Sequence, residues 1–413
     1  MPRFPLVRWI ALFWGFSVFF PISWNYLALG GLMVAMVWEG GLRVRLGRLR
    51  AQPNWWAAWG YLGWVALVLV AGAHYPETSS NAFHAVRIVL TLFVVLTLSR
   101  QEAVWALRGF WAGVVAVLVL SALHAVTGLP DSIVWRSIVQ YGGNKSLSNA
   151  VLMALAFSSV LVLLPRLTGR QRWIAAVIAL GAIAVLLSAL HSRTAWLVLL
   201  LGVAAGMVHT VRSQTHGRRH VWAWGLVLVV MLSAGWLMPG VRDRVAQGAT
   251  EISHAQAGQK VDQSSSWGIR FRMYTETLGM MRERPLMGWG MGGWSAQWKA
   301  RVEPALAEAN MPHNDFLWMG AQAGIPGTLL LFWLIAAGLP QAWRNLNVSG
   351  RMGVIALLTE LAAVMSNSAL RDAQIGLSLW FVVLVYQRLS TEPESVWGAA
   401  LLGGQLNDTA PAP

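Results

Sequence analysis

Few residues in this chain are suited to chemistry, and three stand out by type and setting. His313 stands in "MPHNDFLWMGAQAGIPGTLLLFWLIAAGL", where an apolar segment long enough to cross a bilayer begins with proline, histidine, asparagine and aspartate. Arg193 sits in "HSRTAWL", at the junction of two apolar segments. Arg270 belongs to the polar stretch "SSSWGIRFRMYTETLGMMRERPLMGWG", together with Arg272 and Tyr274. A neutral imidazole accepts a proton from a hydroxyl, and a guanidinium fork matches phosphate oxygens bidentately. Such a set would bind an anion and activate a nucleophile.

Each residue also has a plainer reading. Arg193 can be a snorkelling anchor at a helix end, Arg270 a cation on a solvated helix, and His313 a hydrogen-bonded interfacial residue. Two features favour the proton-accepting role of His313. Neighbouring arginines and the positive end of a helix both stabilise the neutral ring, and Asn314 or Asp315 can cap the helix or orient the imidazole.

The elements that must position these residues follow from composition. Of 413 residues 56% are hydrophobic and only 12% charged, so the bulk of the chain must be solvated by lipid. Apolar runs long enough to cross the roughly 30 Å hydrocarbon core as helices recur about twelve times. They fall near 6–22, 24–39, 55–73, 84–99, 103–127, 149–164, 173–190, 194–211, 221–238, 314–338, 352–367 and 375–391. Every backbone amide in lipid needs an internal partner, so the expected fold is an all-α polytopic integral membrane protein. The start of the chain, basic and then apolar without a small-residue cleavage site, reads as a retained first helix.

Basic residues set the expected orientation. Arg43, Arg45, Arg48, Arg50, Arg100, Arg108, Arg166, Arg170, Arg172, Arg212, Arg218, Arg219, Arg344 and Arg351 fall in alternate loops, which the positive-inside rule places in the cytoplasm. The facing short loops hold only Arg136, Lys145, Arg193 and Arg371, with Arg87 a turn inside a helix. Both termini are therefore expected in the cytoplasm. The net charge of +14 reflects this topology and contact with anionic lipid, not nucleic-acid binding. Cysteine is absent, which excludes disulfides and thiolate chemistry, and the 25 tryptophans suit interfacial belts.

One loop is large. Segments 1–238 and 313–391 read as membrane helices one to nine and ten to twelve, 392–413 as a cytoplasmic tail, and 239–312 as a polar loop outside the membrane. That loop carries its own helix signal, with serines for a cap, Ile269, Met273, Leu278 and Met281 at helical spacing, and Pro285 and four glycines at its end. The topology brings Arg193, Arg270 and His313 to one membrane face.

Other signals are weaker. "GWGMGG" fits the dinucleotide pattern but follows a helix rather than a strand, and reads as a flexible turn. His216 and His220 lack a carboxylate partner, Asp315 has no second ligand at metal-binding spacing, and no metal site is expected. Trp294 and Trp298, a turn apart, read as membrane anchors rather than as a sugar-stacking pair. No internal repeat is evident, which counts against a secondary transporter.

"HSRTAWL", "RFRMYTETLGMMRERPLMGWGMGGW" and "PHNDFLWMGAQAGIPGTLLL" resemble the signature blocks of the O-antigen ligase and polymerase superfamily. The likeness covers the second half of the chain; the first half is similar in hydropathy only. It implies a GT-C-like, metal-independent glycosyltransferase of the bacterial inner membrane, needing no cofactor and acting at the periplasmic face. The implied donor is O-antigen polysaccharide on undecaprenyl pyrophosphate, and the ligase acceptor is a sugar of lipid A–core. The family's helix-end arginine falls on Arg193, its loop arginine on Arg270, with Arg272 close by, and its histidine on His313. Tyr274, four residues after Arg270, matches an aromatic in the family pattern. Lys145, Asn149, Asn314 and Asp315 are candidates to line the substrate path. A polymerase, which carries arginine-x10-glycine patterns in two large outer loops, is an alternative, but only Arg282 to Gly293 fits and only one such loop is present. A protein O-oligosaccharyltransferase is a further alternative. From another class, a lipid-linked oligosaccharide flippase would use Arg87, Arg193 and Arg371 to line a cavity.

Overall fold

The computed structural model describes residues 5–127, 143–188, 192–213, 266–304 and 306–402, with isolated positions between 222 and 250. Among these residues every regular element is helical. The first six helices are α1 (Leu6–Ser17), α2 (Ile22–Glu39), α3 (Leu42–Arg50), α4 (Asn54–Ala71), α5 (Thr78–Leu96) and α6 (Arg100–Thr127). Next come α7 (Gly143–Leu163), α8 (Gly169–Ser188), α9 (Arg193–Ser213), α10 (Ser266–Glu283) and α11 (Gly293–Arg301). The chain continues through α12 (Asp315–Ala336), α13 (Leu339–Arg344), α14 (Val348–Ser366), α15 (Ala373–Leu389) and α16 (Ser395–Leu402).

Eight of the described helices are long and apolar enough to cross a membrane, and a ninth span results if α2 and α3, bent by 120°, count together. Helices α1 and α15 are apolar but shorter. Most of the expected segment at 221–238 lies outside the described residues. The chain is a multi-pass helical membrane protein. Pro21 separates the first two helices, as its missing N–H requires. Helices α1 and α6 then pack backbone to backbone, because Gly15 faces the carbonyl of Ala106 and Gly109 that of Leu12.

The feature that shapes the molecule is a break in α12. Gly324 adopts φ 70° and Pro326 has no N–H, so the helical ladder is interrupted there. Carbonyls at 321, 322 and 323 are thereby freed at membrane depth, where an unpaired one is costly. All three find donors. Trp289 N bonds Ala321 O at 2.8 Å, Gly290 N bonds Gln322 O at 3.0 Å, and Trp64 Nε1 bonds Ala323 O at 2.7 Å. In return, Ile325 N donates to Pro285 O at 2.8 Å. The glycine loop that reads as a flexible turn in sequence is thus pinned to the broken helix. Gly288, Gly290 and Gly292 all have left-handed backbones, and a Cβ on Gly288 would meet Gln322 backbone atoms.

The first half of the chain holds this loop from the other side. Thr78 Oγ1 donates to Met291 O at 2.7 Å, and Ser295 Oγ to Glu77 Oε2 at 2.7 Å. Within the polar region, α10 buries Met273, Thr277 and Met280 on one face, while Leu278 is exposed, unlike its expected role. Trp294 and Trp298 overturn both of their expected readings. They are fully buried, stacked on each other at 5.4 Å, and bonded through Nε1 to Thr277 Oγ1 and Leu306 O, so they reach neither lipid nor sugar.

A Cβ at Gly324 would be strained and would collide with the carbonyls of Leu286 and Pro285. Gly324→Ala should therefore cost about 1–3 kcal/mol. Gly63→Ala in α4, where nothing lies within 4 Å of the new Cβ, should be neutral or stabilising by up to about 1 kcal/mol. Thermal unfolding of the two variants in detergent checks the contrast.

Candidate functional site

His313 lies one residue before the cap of α12 and is the one described non-glycine residue with positive φ, at 55°. For a side chain with a Cβ that conformation is strained, and such strain concentrates at functional positions. The residues after it lock it in place. Asn314 is the N-cap, its Oδ1 accepting from Phe316 N at 3.0 Å and Leu317 N at 3.1 Å. Asn314 Nδ2 reaches across to Met365 O at 3.0 Å. Asp315 is buried, and its carboxylate accepts Leu370 N at 2.7 Å and Arg371 N at 3.2 Å. That makes Asp315 a buried brace for the 367–372 loop rather than an exposed lining residue.

The loop returns a partner to the histidine. Asn367 Oδ1 lies 2.9 Å from His313 Nδ1 and also accepts Ser368 N at 3.0 Å. Because that second contact is with a backbone N–H, the Asn367 atom must be the oxygen, and Nδ1 must carry the proton. The free lone pair of the neutral ring then sits on Nε2. This assigns the tautomer from geometry. Sequence reasoning missed Asn367, although its place at the end of an apolar segment antiparallel to the His313 helix puts it at the same face.

Arg270 and Tyr274, one turn apart on α10, share the side turned to this site. Tyr274 OH donates to His313 O at 3.3 Å, and Arg270 is close enough to disfavour the imidazolium. Arg272 points elsewhere, pairing with Glu276 at 3.2 Å. Burial pushes the His313 pKa below its ordinary 6.5; the Asn367 bond opposes that, and Arg270 and Arg371 add to it. The Tyr274 phenol is raised by burial, with Arg270 and the Asn314 bond opposing.

Arg193 opens α9, and its neighbour Thr194 accepts from Ser366 Oγ at 3.2 Å, one residue before Asn367. Asn149 shares that depth. A Cβ on Gly202 would touch Ser158 and Ile355, which levels α7, α9 and α14, and Asn149 and Arg193 lie equally far back along their parallel helices. Both polar atoms of the Asn149 amide are buried without a partner among the described residues. The side chain of Lys145 lies outside the described residues. Arg87 differs from its expected cavity role. It is buried, and its guanidinium donates to Leu370 O at 2.6 Å, Arg371 O at 3.1 Å and Tyr26 OH at 3.2 Å, so it braces the same loop from α5. Arg371 stands half-buried beside the histidine.

A basic cluster around one imidazole, at the start of a broken membrane helix, invites comparison with known families. Residues 178–332 match the O-antigen ligase family model. The resemblance carried by the three sequence blocks is thereby borne out, and it supports a ligase or polymerase type of function. The O-antigen ligase match takes in Arg193, Arg270, Tyr274, His313 and the whole α12 break, while Asn149, Arg87, Asn367 and Arg371 lie outside it. No curated protein matches the chain.

The histidine's surroundings give a signed expectation. In the folded protein the His313 ring should titrate below 6.5. Arg270→Gln and Arg371→Gln should each raise that value, and Asn367→Ala should lower it further, as followed by NMR of the labelled imidazole in detergent.

Proposed function

We propose that the protein is an O-antigen ligase that transfers O-antigen polysaccharide from undecaprenyl pyrophosphate to a sugar hydroxyl of lipid A–core. The observation that carries this reading is His313, with Nδ1 engaged by Asn367 and Nε2 left as the base, beside Arg270. The membrane is the bacterial inner membrane, and the site lies on its periplasmic side. The basic residues at the far end of the bundle, Arg166, Arg212, Arg344 and Arg351, support that orientation.

The acceptor oxygen attacks the anomeric carbon of the donor as its proton passes to His313 Nε2. The carbon–oxygen bond to pyrophosphate breaks in the same displacement, inverting the centre and releasing undecaprenyl pyrophosphate. Pyrophosphate leaves as a stable anion and needs no general acid. It needs positive charge, which Arg193 and Arg270 supply. Arg272, paired with Glu276 on another face of α10, is not required. Asn149 and Tyr274 border the path of the donor and acceptor. Asn314 and Asp315 act through the position of His313.

Purified protein with lipid-linked glycan and lipid A–core in detergent tests the proposal, because a pure transporter forms no product there. His313→Ala should lower transfer by about 10²–10⁴-fold while donor binding persists. Arg193→Ala and Arg270→Ala should weaken donor binding as well, and lower turnover by about 10²–10³-fold. Arg272→Ala should stay within a few-fold of wild type, and activity should survive EDTA. Normal turnover by His313→Ala would remove the base assignment.

A further inference from the structure

A second charged site lies a full helix length from His313, at the other end of α14. A cleft of about 430 Å³ opens there between the end of α7, the start of α14 and α16. Its polar wall is Arg166, Gln171, Glu394 and Ser395, and its apolar wall includes Leu163 and Val348. Glu394 is fully engaged. It accepts Arg166 Nε at 2.9 Å and Nη2 at 3.4 Å, and it also accepts Val348 N at 2.8 Å.

One positive charge is left over. Arg351, one turn along α14 from Val348, is only 2% exposed and feels both Arg166 and Glu394. Its Nη2 makes a long hydrogen bond, 3.4 Å, to Ser213 Oγ. Arg166 Nη1 and Arg351 Nε are buried N–H groups without partners among the described residues. Two guanidiniums share a single carboxylate. A buried uncompensated cation is costly, and unsatisfied N–H groups on Arg166, in the cleft wall, and on Arg351, buried behind that wall, call for an anion. Just outside, Arg170 and Arg172 are exposed, and Trp173 is 76% exposed, as suits a ring placed among headgroups.

We propose that this cleft binds a phosphate diester, the headgroup phosphate of an anionic phospholipid, at the face opposite the transfer site. The phosphate takes the free N–H groups of Arg166 and Arg351, and the apolar wall of Leu163 and Val348 lies along the start of an acyl chain. A free phosphate ion has the same oxygen chemistry but no use for that wall.

Native mass spectrometry of the full chain, released from detergent with phosphatidylglycerol or phosphatidylcholine added, reads the proposal directly. Wild type should retain phosphatidylglycerol about tenfold more tightly than phosphatidylcholine, the weight of one charge-assisted hydrogen bond. Arg351→Met should abolish the preference. Glu394→Gln, which adds to the local positive charge, should strengthen it. Circular dichroism of both variants confirms that they fold, and the opposite signs separate anion binding from general damage. Equal retention of the two lipids by wild type would overturn the proposal, as would an unchanged preference in Arg351→Met. Inorganic phosphate at millimolar concentration forms the second arm. If it stabilises wild type against heat while phosphatidylglycerol does not, the site takes a free anion and the lipid assignment fails.

Discussion

The architecture around His313 rests on the demand that no backbone carbonyl be left bare in lipid. Breaking α12 at Gly324 and Pro326 releases three carbonyls in succession, and the fold answers with Trp289, Gly290 and Trp64. Those partners come from the polar loop and from α4. The same few bonds thus fasten the loop carrying α10 to the membrane domain and fasten the first half of the chain to the second. Arg270 rides on α10, so its distance from His313 depends on how the break is satisfied.

A second constraint operates at the start of α12. Asp315 gathers the amides of residues 370 and 371, while Arg87 gathers their carbonyls. An acid and a base from different helices therefore neutralise the polar backbone of one short loop. With that loop held, Asn367 can present its oxygen to Nδ1. The ring is oriented by second-order contacts, and its own backbone at φ 55° leaves it little freedom to drift.

Much of this was legible in the chain, for identifiable reasons. Long apolar runs and the single polar stretch predicted most of the membrane helices and α10 with its end at Pro285. The convergence of His313 and Arg270 followed from topology. Other assignments needed three dimensions. "GWGMGG" looks like slack chain because its hydrogen-bond partners lie some thirty residues later, across the α12 break. Trp294 and Trp298 look like interfacial anchors because composition cannot tell a buried ring from an exposed one. Arg87 looks like a free cation because, Tyr26 apart, its acceptors are main-chain carbonyls, which leave no mark on residue type. Asn367 was hidden for a similar reason: one asparagine at a helix end is ordinary until the histidine facing it is seen.

The Asp315 brace also has a bearing on how the protein is made. Its carboxylate is translated 55 residues ahead of Leu370, and Arg87 waits 283 residues for the same loop. Until Leu370 and Arg371 are made, neither the Arg87 guanidinium nor, once it is translated, the Asp315 carboxylate has its backbone partners in this loop. The bracing of the loop beside His313 is therefore among the last contacts to be completed as the ribosome feeds helices into the bilayer.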